Sequence, residues 1–343
     1  MSVSEIPRVK AAAARVRQAR RPRPELDRLI GVALVTPSIL AIAIFVYGFI
    51  GWSVRVSLSR WTGLIPDYTF VWFEQYADLF QDRRFGIDVR NTAIFTVLFL
   101  IACLAIGLFL AILLDQRLKG ENLFRSIFLF PMAISFIVTG VAWRWLMNAA
   151  LDSRMTGLNL LFRYLGLDFL LSRWHLTTEV AIPLPFTLST APLAFSLQPS
   201  DLVIKGIGIA FVVIPAVWQM SGFTMAMYLG GLRSIPDDLR EAARVDGASE
   251  FQVYRHIILP LLQPVTLSAV IVLGHISLKI FDLIVAISQN NIALDVPGVY
   301  MWRTTFDGNN YGQGAAIGII MLVTVALLII PYLVYSMRTE AEL

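Results

Sequence analysis

Long apolar segments dominate the chain and predict helices rather than strands. Each is long enough to cross about 30 Å of hydrocarbon as a helix of about 20 residues, and none alternates strictly between apolar and polar positions. The six segments are residues 29–54, 92–114, 124–147, 206–232, 261–288 and 314–337. A membrane β-barrel would instead show alternating segments of about 10 residues. The pattern predicts an all-α polytopic membrane protein with about six transmembrane helices.

A further apolar segment, residues 181–197, has a different character. It contains Pro183, Pro185 and Pro192, and each proline removes a backbone donor that lipid cannot replace. We therefore expect this segment to lie outside the membrane or on its surface. The assignment matters because a seventh crossing would move everything after it to the opposite side of the membrane.

The composition agrees with a membrane protein. Hydrophobic residues make up 57% of the 343 residues, charged residues only 15%, and the mean hydropathy is +0.69. Soluble domains carry about a quarter charged residues, so this chain has too few charges to cover a water-soluble globule. A soluble enzyme, a disordered chain and a fibrous repeat are excluded. The single cysteine, Cys103, excludes an internal disulfide and a cysteine metal cluster.

The distribution of basic residues predicts the orientation of the helices. With both termini in the cytoplasm, sixteen of the 28 Lys and Arg residues lie on the inner side and ten on the outer side, as the positive-inside rule requires. The predicted organisation is a basic cytoplasmic tail (1–28), the first helix (29–54), an extracytoplasmic loop (55–91), helices two and three (92–147), an extracytoplasmic insertion (148–205), helices four to six with a cytoplasmic loop at 233–260 (206–337), and a cytoplasmic tail (338–343).

The basic tail allows two interpretations. Arginines between Arg15 and Arg23 could contact nucleic acid, but no aromatic residues interleave them. We therefore predict no nucleic-acid partner and a tail that touches anionic membrane lipid. The tail also lacks the apolar core and small-residue cleavage site of a signal peptide.

The predicted insertion, residues 148–205, contains one helical pattern. Leu158, Leu161, Phe162 and Leu165 recur at helical spacing and predict a short amphipathic helix. This helix could lie on the bilayer or form part of a surface that receives a soluble binding protein.

The loop between the fourth and fifth segments predicts two short helices joined at a glycine. Pro236 suits the start of a helix, and the acidic residues that follow it suit the positive end of a helix dipole. Gly247 occupies a position that favours a left-handed C-terminal cap. Ser249 and Gln252 have the spacing of a capping box, which would begin the second helix. Pro260 would separate that helix from the fifth segment, so the loop is a polar elbow between two membrane helices.

The same loop resembles the cytosolic signature of permease subunits in bacterial ABC importers. That signature is Glu-Ala-Ala, three residues, Gly, nine residues and Ile-x-Leu-Pro. The matching residues here are Glu241, Ala242, Ala243, Asp246, Gly247, Ile257, Leu259 and Pro260. The Phe281-Asp282-Leu283-Ile284 block is similar to the carbohydrate branch, the maltose-type and α-glucoside-type permeases. The chain departs from that branch at Ser288-Gln289-Asn290-Asn291, where a Gly-Gly-Pro stretch is usual.

The resemblance implies a mechanism and a set of partners. The loop would dock into an ATP-hydrolysing subunit, with Glu241 as a charged contact, Ala242 and Ala243 allowing close helix approach, and Gly247 setting the elbow. The implied partners are an ATPase dimer, a second homologous permease and an extracytoplasmic solute-binding protein, in a bacterial inner membrane. The chain has no Gly-Lys dipeptide and hence no phosphate loop. We expect no cofactor in this chain and no catalysis by it, with ATP and Mg²⁺ bound by the partner ATPase.

Polar residues within the predicted spans are candidates for a transport path. Ionisable groups there cost about 2.5–3.5 kcal/mol each to insert. The candidates are Trp218, Gln219, His275, Lys279 and Asp282. The spacing of the last three predicts one helix face, and an aromatic ring with amide or amine groups suits a sugar. The alternative is structural, with Lys279 and Asp282 neutralising each other, His275 bonded to a backbone carbonyl and Trp218 only packing.

Other functional classes make different demands on the sequence. A secondary transporter needs an ion site in this chain and works without ATP. A membrane enzyme needs a catalytic cluster at one membrane face, and none is recognisable. A scaffold would not need charged residues within spans. Within the importer class, a polyol or glycerol phosphate compound is the alternative to a sugar.

Overall fold

The computed structural model describes residues 24–116, 120–148, 150, 154–168, 171, 179–181, 189–190, 195–196, 203–205, 208–288 and 291–341. The predicted basic tail lies largely outside these residues. The chain divides into two compact units, residues 1–55 and 56–343. Among these residues, four helices are long and apolar enough to cross a membrane, or up to six when each of two bent helix pairs is counted as one span. The predicted count of about six is consistent with this range.

The helices are named in chain order. They are α1 (Pro24–Ile42), α2 (Phe49–Ser57), α3 (Glu74–Gln81), α4 (Arg83–Asp115), α5 (Glu121–Leu129), α6 (Phe136–Leu146), α7 (Gly157–Tyr164), α8 (Gly208–Ser234), α9 (Asp237–Val245), α10 (Glu250–Val253), α11 (Leu259–Leu261), α12 (Gln263–Leu278), α13 (Asp282–Ser288), α14 (Pro297–Trp302) and α15 (Tyr311–Ala341). Short 3₁₀ turns are Phe130–Ala133 and Ile292–Leu294, and π turns are Ala43–Gly48, Tyr254–Ile258 and Arg303–Asp307.

The first unit contains one apolar helical stretch. The π turn Ala43–Gly48 connects α1 and α2, and residues Gly31–Ser57 qualify together as a membrane span. None of the residues in the most apolar part of this stretch is buried inside the protein. A helix that exposes apolar side chains on every face is typical of a lipid environment.

The core of the second unit is formed by α4 and α8, which lie parallel. Residues near the start of both helices share one buried cluster, and residues near the end of both share another. The first includes Phe95, Phe99, Ile209, Val212 and Ala216, and the second Ala111, Leu114, Met225, Leu229 and Leu232. Parallel neighbours need an odd number of crossings between them. Counted as one span, the bent pair of α5 and α6 supplies it.

The third predicted segment is a broken helix rather than a continuous one. The stretch Glu121–Ala133 meets α6 at an angle of 98°. Pro131 sits inside the 3₁₀ turn, and Ser135 accepts a hydrogen bond from the Val138 amide to begin α6. The proline was visible in the sequence, but the size of the bend depends on how both halves pack against α8.

The fifth predicted segment, residues 261–288, is also interrupted. The stretch Glu250–Leu261 meets α12 at 62°, and the bend falls at Leu262 rather than at Pro260. Helix α12 ends at Leu278, and three residues separate it from α13. The expectation of one continuous helix face for His275, Lys279 and Asp282 is therefore wrong, because Asp282 begins a new helix.

The region between α6 and α8 contains more than the predicted helix. Helix α7 confirms the short amphipathic helix. Four strands follow in two antiparallel pairs, Glu179–Ala181 with Val203–Lys205 and Ser189–Thr190 with Phe195–Ser196. The prediction of an all-α protein missed these strands, which are only two or three residues long and too short for a periodic pattern. Most of 181–197 lies outside the described residues.

A cluster of charged residues joins the start of α4 to the segment before α14. The Asp295 carboxylate is fully buried and accepts from Arg84 at 2.6 Å and Arg303 at 3.2 Å. Arg84 stacks on Tyr300 at 4.5 Å from the ring centroid, and the Tyr300 hydroxyl donates to Asp82. These contacts stabilise the end of the second unit at the start of α4, opposite the end that contains Asp115.

Candidate functional site

The elbow between α8 and α12 begins with a well-terminated helix. Pro236 precedes α9, and Asp237 and Asp238 lie in its first turn. At its end the Gly247 amide donates to the Arg244 carbonyl and the Ala248 amide donates to the Ala243 carbonyl, both at 3.0 Å. This is a Schellman cap, which needs a left-handed residue after the helix. Gly247 has a φ of +85°, as the sequence predicts.

The second short helix of the elbow begins as expected. The Gln252 side chain accepts from the Ser249 amide at 2.8 Å and from the Ser249 hydroxyl at 3.0 Å. Arg244 of α9 donates to Glu250 of α10 at 2.6 Å. Hydrogen bonding and the charge of Glu250 raise the pKa of the exposed Arg244 guanidinium. The turn at residues 246–249 is thus held by both backbone and side-chain bonds.

Helix α9 presents different faces to the protein and to its surroundings. Ala243 is only 9% exposed and packs into the cluster at the end of α4 and α8. Glu241, Ala242 and Asp246 are exposed. The two alanines therefore face in different directions, and only Ala242 is accessible to another protein.

Three large apolar side chains are exposed on α9 and α10 of the elbow. Val245 is 87% exposed, Phe251 70% and Leu239 44%. The sequence analysis did not predict them, because they lie outside the family signature. Their positions on otherwise polar helices were the available signal. We call Leu239, Glu241, Ala242, Val245 and Phe251 the elbow face.

The last residues of the signature lie beyond the elbow face. Ile257 is half-buried against the cluster around Leu232, whereas Leu259 and Pro260 are exposed. All three precede the 62° bend into α12. Their position makes them part of the connection between the elbow and the membrane helix.

On α8, the two candidate path residues differ in their surroundings. Trp218 is 41% exposed and lies against Trp143 of α6, with ring centroids 5.9 Å apart. Gln219 is buried and donates to the Ile134 carbonyl at 2.5 Å. Ile134 lies in the break between the 3₁₀ turn and α6, so Gln219 satisfies a carbonyl that the break leaves free.

On the fifth segment, the candidates lie at and after the end of α12. His275 Nε2 and Lys279 Nζ are 3.4 Å apart, and Lys279 is exposed. Asp282 is exposed in the first turn of α13. Within the described part of the chain, no ion pair joins Lys279 to Asp282. The mutual neutralisation considered from the sequence therefore does not occur in this structure.

The packing of α8 against α12 relates the depths of the two groups. The Tyr228 hydroxyl and the Thr266 hydroxyl are 3.1 Å apart, and the two helices run in opposite directions. At a rise of about 1.5 Å per residue along both helices, ten residues from this contact bring Trp218 level with residue 276. Trp218 and His275 thus lie at similar depth, although the described contacts join each only to its own neighbour.

Ligands for a metal are not gathered in the described residues. Among them, no group of three or more His, Cys, Asp and Glu side chains could hold a metal ion. The polar groups of the candidate path residues are one amide, one imidazole, one amine and one carboxylate. Such groups suit hydrogen bonding to an uncharged polar solute.

Comparison with known proteins identifies the family. Residues 104–339 match the binding-protein-dependent transport system inner membrane component family. A probable ABC transporter permease of Pyrococcus horikoshii is 37% identical over 93% of this chain and 99% of its own length. The xylose/arabinose import permease of Haloferax volcanii is 34% identical over 86% of this chain and 84% of its own.

A solved structure supports the fold. A chain of a bacterial alginate ABC transporter, in complex with an alginate pentasaccharide-bound periplasmic protein, superposes with a TM-score of 0.68. It covers 91% of this chain and 95% of its own, at 21% identity. The elbow signature, the family match and the relatives agree, and the predicted resemblance is confirmed. The chain belongs to the inner membrane permease family of binding-protein-dependent ABC transporters.

Proposed function

We propose that this chain is the permease subunit of an ATP-driven importer for a carbohydrate, an oligosaccharide or a glucoside-like solute. It works by alternating access and does not hydrolyse ATP itself. Its partners are an ATPase dimer that binds ATP and Mg²⁺, a second homologous permease and an extracytoplasmic solute-binding protein. The elbow lies on the cytoplasmic side of a cell membrane, the bacterial inner membrane by resemblance. Names of the relatives support a sugar as the solute class.

The elbow face is the observation that carries the proposed coupling. Val245 and Phe251 expose large apolar surfaces on two polar helices, and Glu241 and Ala242 lie between them and Leu239. Exposed apolar surface with a polar rim is typical of a protein–protein contact. The same loop carries four of the predicted cytoplasmic basic residues, Arg233, Arg240, Arg244 and Arg255. An ATPase subunit is the partner that the signature implies at this place.

The docking role is tested with Val245→Asp and Glu241→Lys together. Both side chains are exposed, so the change should leave the fold intact. Docking would bury the new aspartate at position 245 and meet a reversed charge at position 241, and both effects oppose it. We expect loss of the ATPase subunit from the purified complex and loss of solute-stimulated ATP hydrolysis. The matched control is Glu74→Lys, an exposed charge at the other end of the second unit. Wild-type co-purification and hydrolysis in the double variant would refute docking at the elbow face.

The proposed path is centred on Trp218 and Trp143, with His275, Lys279 and Asp282 at or near the same depth. Aromatic rings present a flat apolar face to a sugar ring, and neighbouring polar groups bind its hydroxyls. Gln219 acts on the path indirectly. Its amide donates to the Ile134 carbonyl and fixes the bend between α5 and α6 beside Trp143. Transporter sites tend to lie near the membrane midplane.

We expect Trp218→Ala to raise the KM for uptake by about tenfold, the loss of one stacking contact of 1–1.5 kcal/mol. At least one of His275→Ala, Lys279→Ala and Asp282→Ala should alter uptake or solute preference. The control is Trp145→Ala, since that ring is 60% exposed on the same helix as Trp143. Uptake kinetics in proteoliposomes measure the effect. Unchanged kinetics in all four path variants would return these residues to a structural role.

A further inference from the structure

Arg240 connects the elbow to the ends of two membrane helices. Its side chain is 15% exposed and lies on the inner face of α9, three residues before the buried Ala243. One guanidinium nitrogen donates to the Asp115 carboxylate at 2.8 Å, and the other donates to the Leu232 carbonyl at 3.1 Å. Asp115 is the last residue of α4, and Leu232 lies in the last turn of α8.

A cation stabilises both acceptors at this position. A carboxylate at the C-terminus of a helix is disfavoured by the helix dipole, and Asp115 stands there with only 10% of its side chain exposed. The Leu232 carbonyl is among the last four of α8, which lack partners within the helix. The Ile235 amide also donates to it, over a long 3.4 Å. One guanidinium therefore serves two parallel helices at once.

Open space lies on both sides of Arg240. Cavities of about 610 and 370 Å³ flank it, the first lined by Asp237 and Glu121 and the second by Tyr254 and Gln116. The neighbouring ion pairs are more exposed, with the arginine of the Arg244–Glu250 pair 50% exposed. Exposed pairs contribute little to the position of a helix. The elbow also packs Ala243, Val253 and Ile258 into the buried cluster at the end of α4 and α8. Among the described ion pairs of the elbow, Arg240–Asp115 is the least exposed and is its firm polar connection to those helices.

We infer that Arg240 is the positioning residue that makes α4 and α8 follow the elbow during transport. The inference rests on the proposed function, because it needs a partner that moves the elbow. Movement of the elbow face is transmitted to the membrane helices only through contacts that stay intact during the movement. A guanidinium bonded to both helix ends keeps them in register with α9, so that both move together.

The test uses Arg240→Ala in the complete importer with its ATPase and second permease. The elbow face is unchanged, so the ATPase subunit should still co-purify and hydrolyse ATP. We expect the solute transported per ATP hydrolysed to fall about tenfold, within the usual range of coupling between sites. Both rates are measured in the same proteoliposomes. Arg240→Lys retains the charge and should recover part of the ratio.

Matched variants separate positioning from stability. Arg244→Ala removes an exposed arginine from the same helix and should leave the ratio at the wild-type value. Asp115→Asn retains side-chain shape and should lower the ratio even if Arg240→Ala does not assemble. The double variant Asp115→Arg with Arg240→Asp exchanges the two charges. Its ratio of solute transported to ATP hydrolysed should be higher than that of Arg240→Asp alone. A wild-type ratio in Arg240→Ala or Asp115→Asn overturns the inference. Absence of an ATPase from the wild-type complex would overturn the proposed function instead.

Discussion

Gly222→Ala is expected to destabilise the protein severely. A β-carbon at Gly222 would lie 1.9 Å from the Phe128 carbonyl oxygen and 2.7 Å from its carbon. These are backbone atoms of α5, so no side chain can rotate away and the two helices must separate. Overpacking of this kind costs about 1–3 kcal/mol or more. The midpoint of thermal unfolding, followed by size-exclusion of the purified complex after heating, should fall.

The control for this change lies on the same helix. A β-carbon at Gly230 meets open space, and alanine is a better helix former than glycine by about 1 kcal/mol. Gly230→Ala should therefore unfold at the same or a higher temperature. Equal melting of the two variants would mean that α5 and α8 do not approach as closely as described.

Asp295→Ala is expected to have the second large effect. The change leaves the guanidinium groups of Arg84 and Arg303 side by side and mostly buried, with no carboxylate between them. Removal of one partner from a buried ion pair costs about 3–5 kcal/mol. The start of α4 should detach from the segment before α14, and the loss is measurable as a lower unfolding temperature and faster proteolysis near residue 295.

Two further variants serve as comparisons for Asp295→Ala. Asp295→Asn keeps the shape but not the charge and should show most of the effect. Glu74→Ala breaks an exposed pair with Arg60, in which the atoms are 3.8 Å apart and both side chains are more than half exposed. Such pairs contribute about 0–1 kcal/mol. If Asp295→Ala melts like Glu74→Ala, the buried cluster does not hold this end together.

The structure agrees with the sequence wherever the signal is local. Gly247 and its cap, the start of α9 and the junction at Ser249 follow from residues within a few positions of each other. The apolar segments also predict the helices well, because burial in lipid requires long runs. These features depend on chemistry that acts along the chain.

The differences arise where distant residues meet. Pro131 signals a weak point, but the 98° bend is held by Gln219, more than 80 residues away. The end of α12 at Leu278 has no proline or glycine to mark it. Arg240 and Asp115 are 125 residues apart, and neither is unusual in its own surroundings. No pattern along the chain can predict a pair of this kind.

The interruptions in the helices determine where the protein can hinge. α4 and α8 share buried side chains along most of their length, and Arg240 ties their ends, so they behave as one rigid body. A straight helix resists bending because its hydrogen bonds must stretch. Residues 134–135 and 279–281 interrupt this regular ladder, and the amides of Ile134, Lys279 and Ile280 bond only to carbonyls three residues back. Rocking of the rigid body against its neighbours should therefore be taken up at these two interruptions, between the 3₁₀ turn and α6 and between α12 and α13.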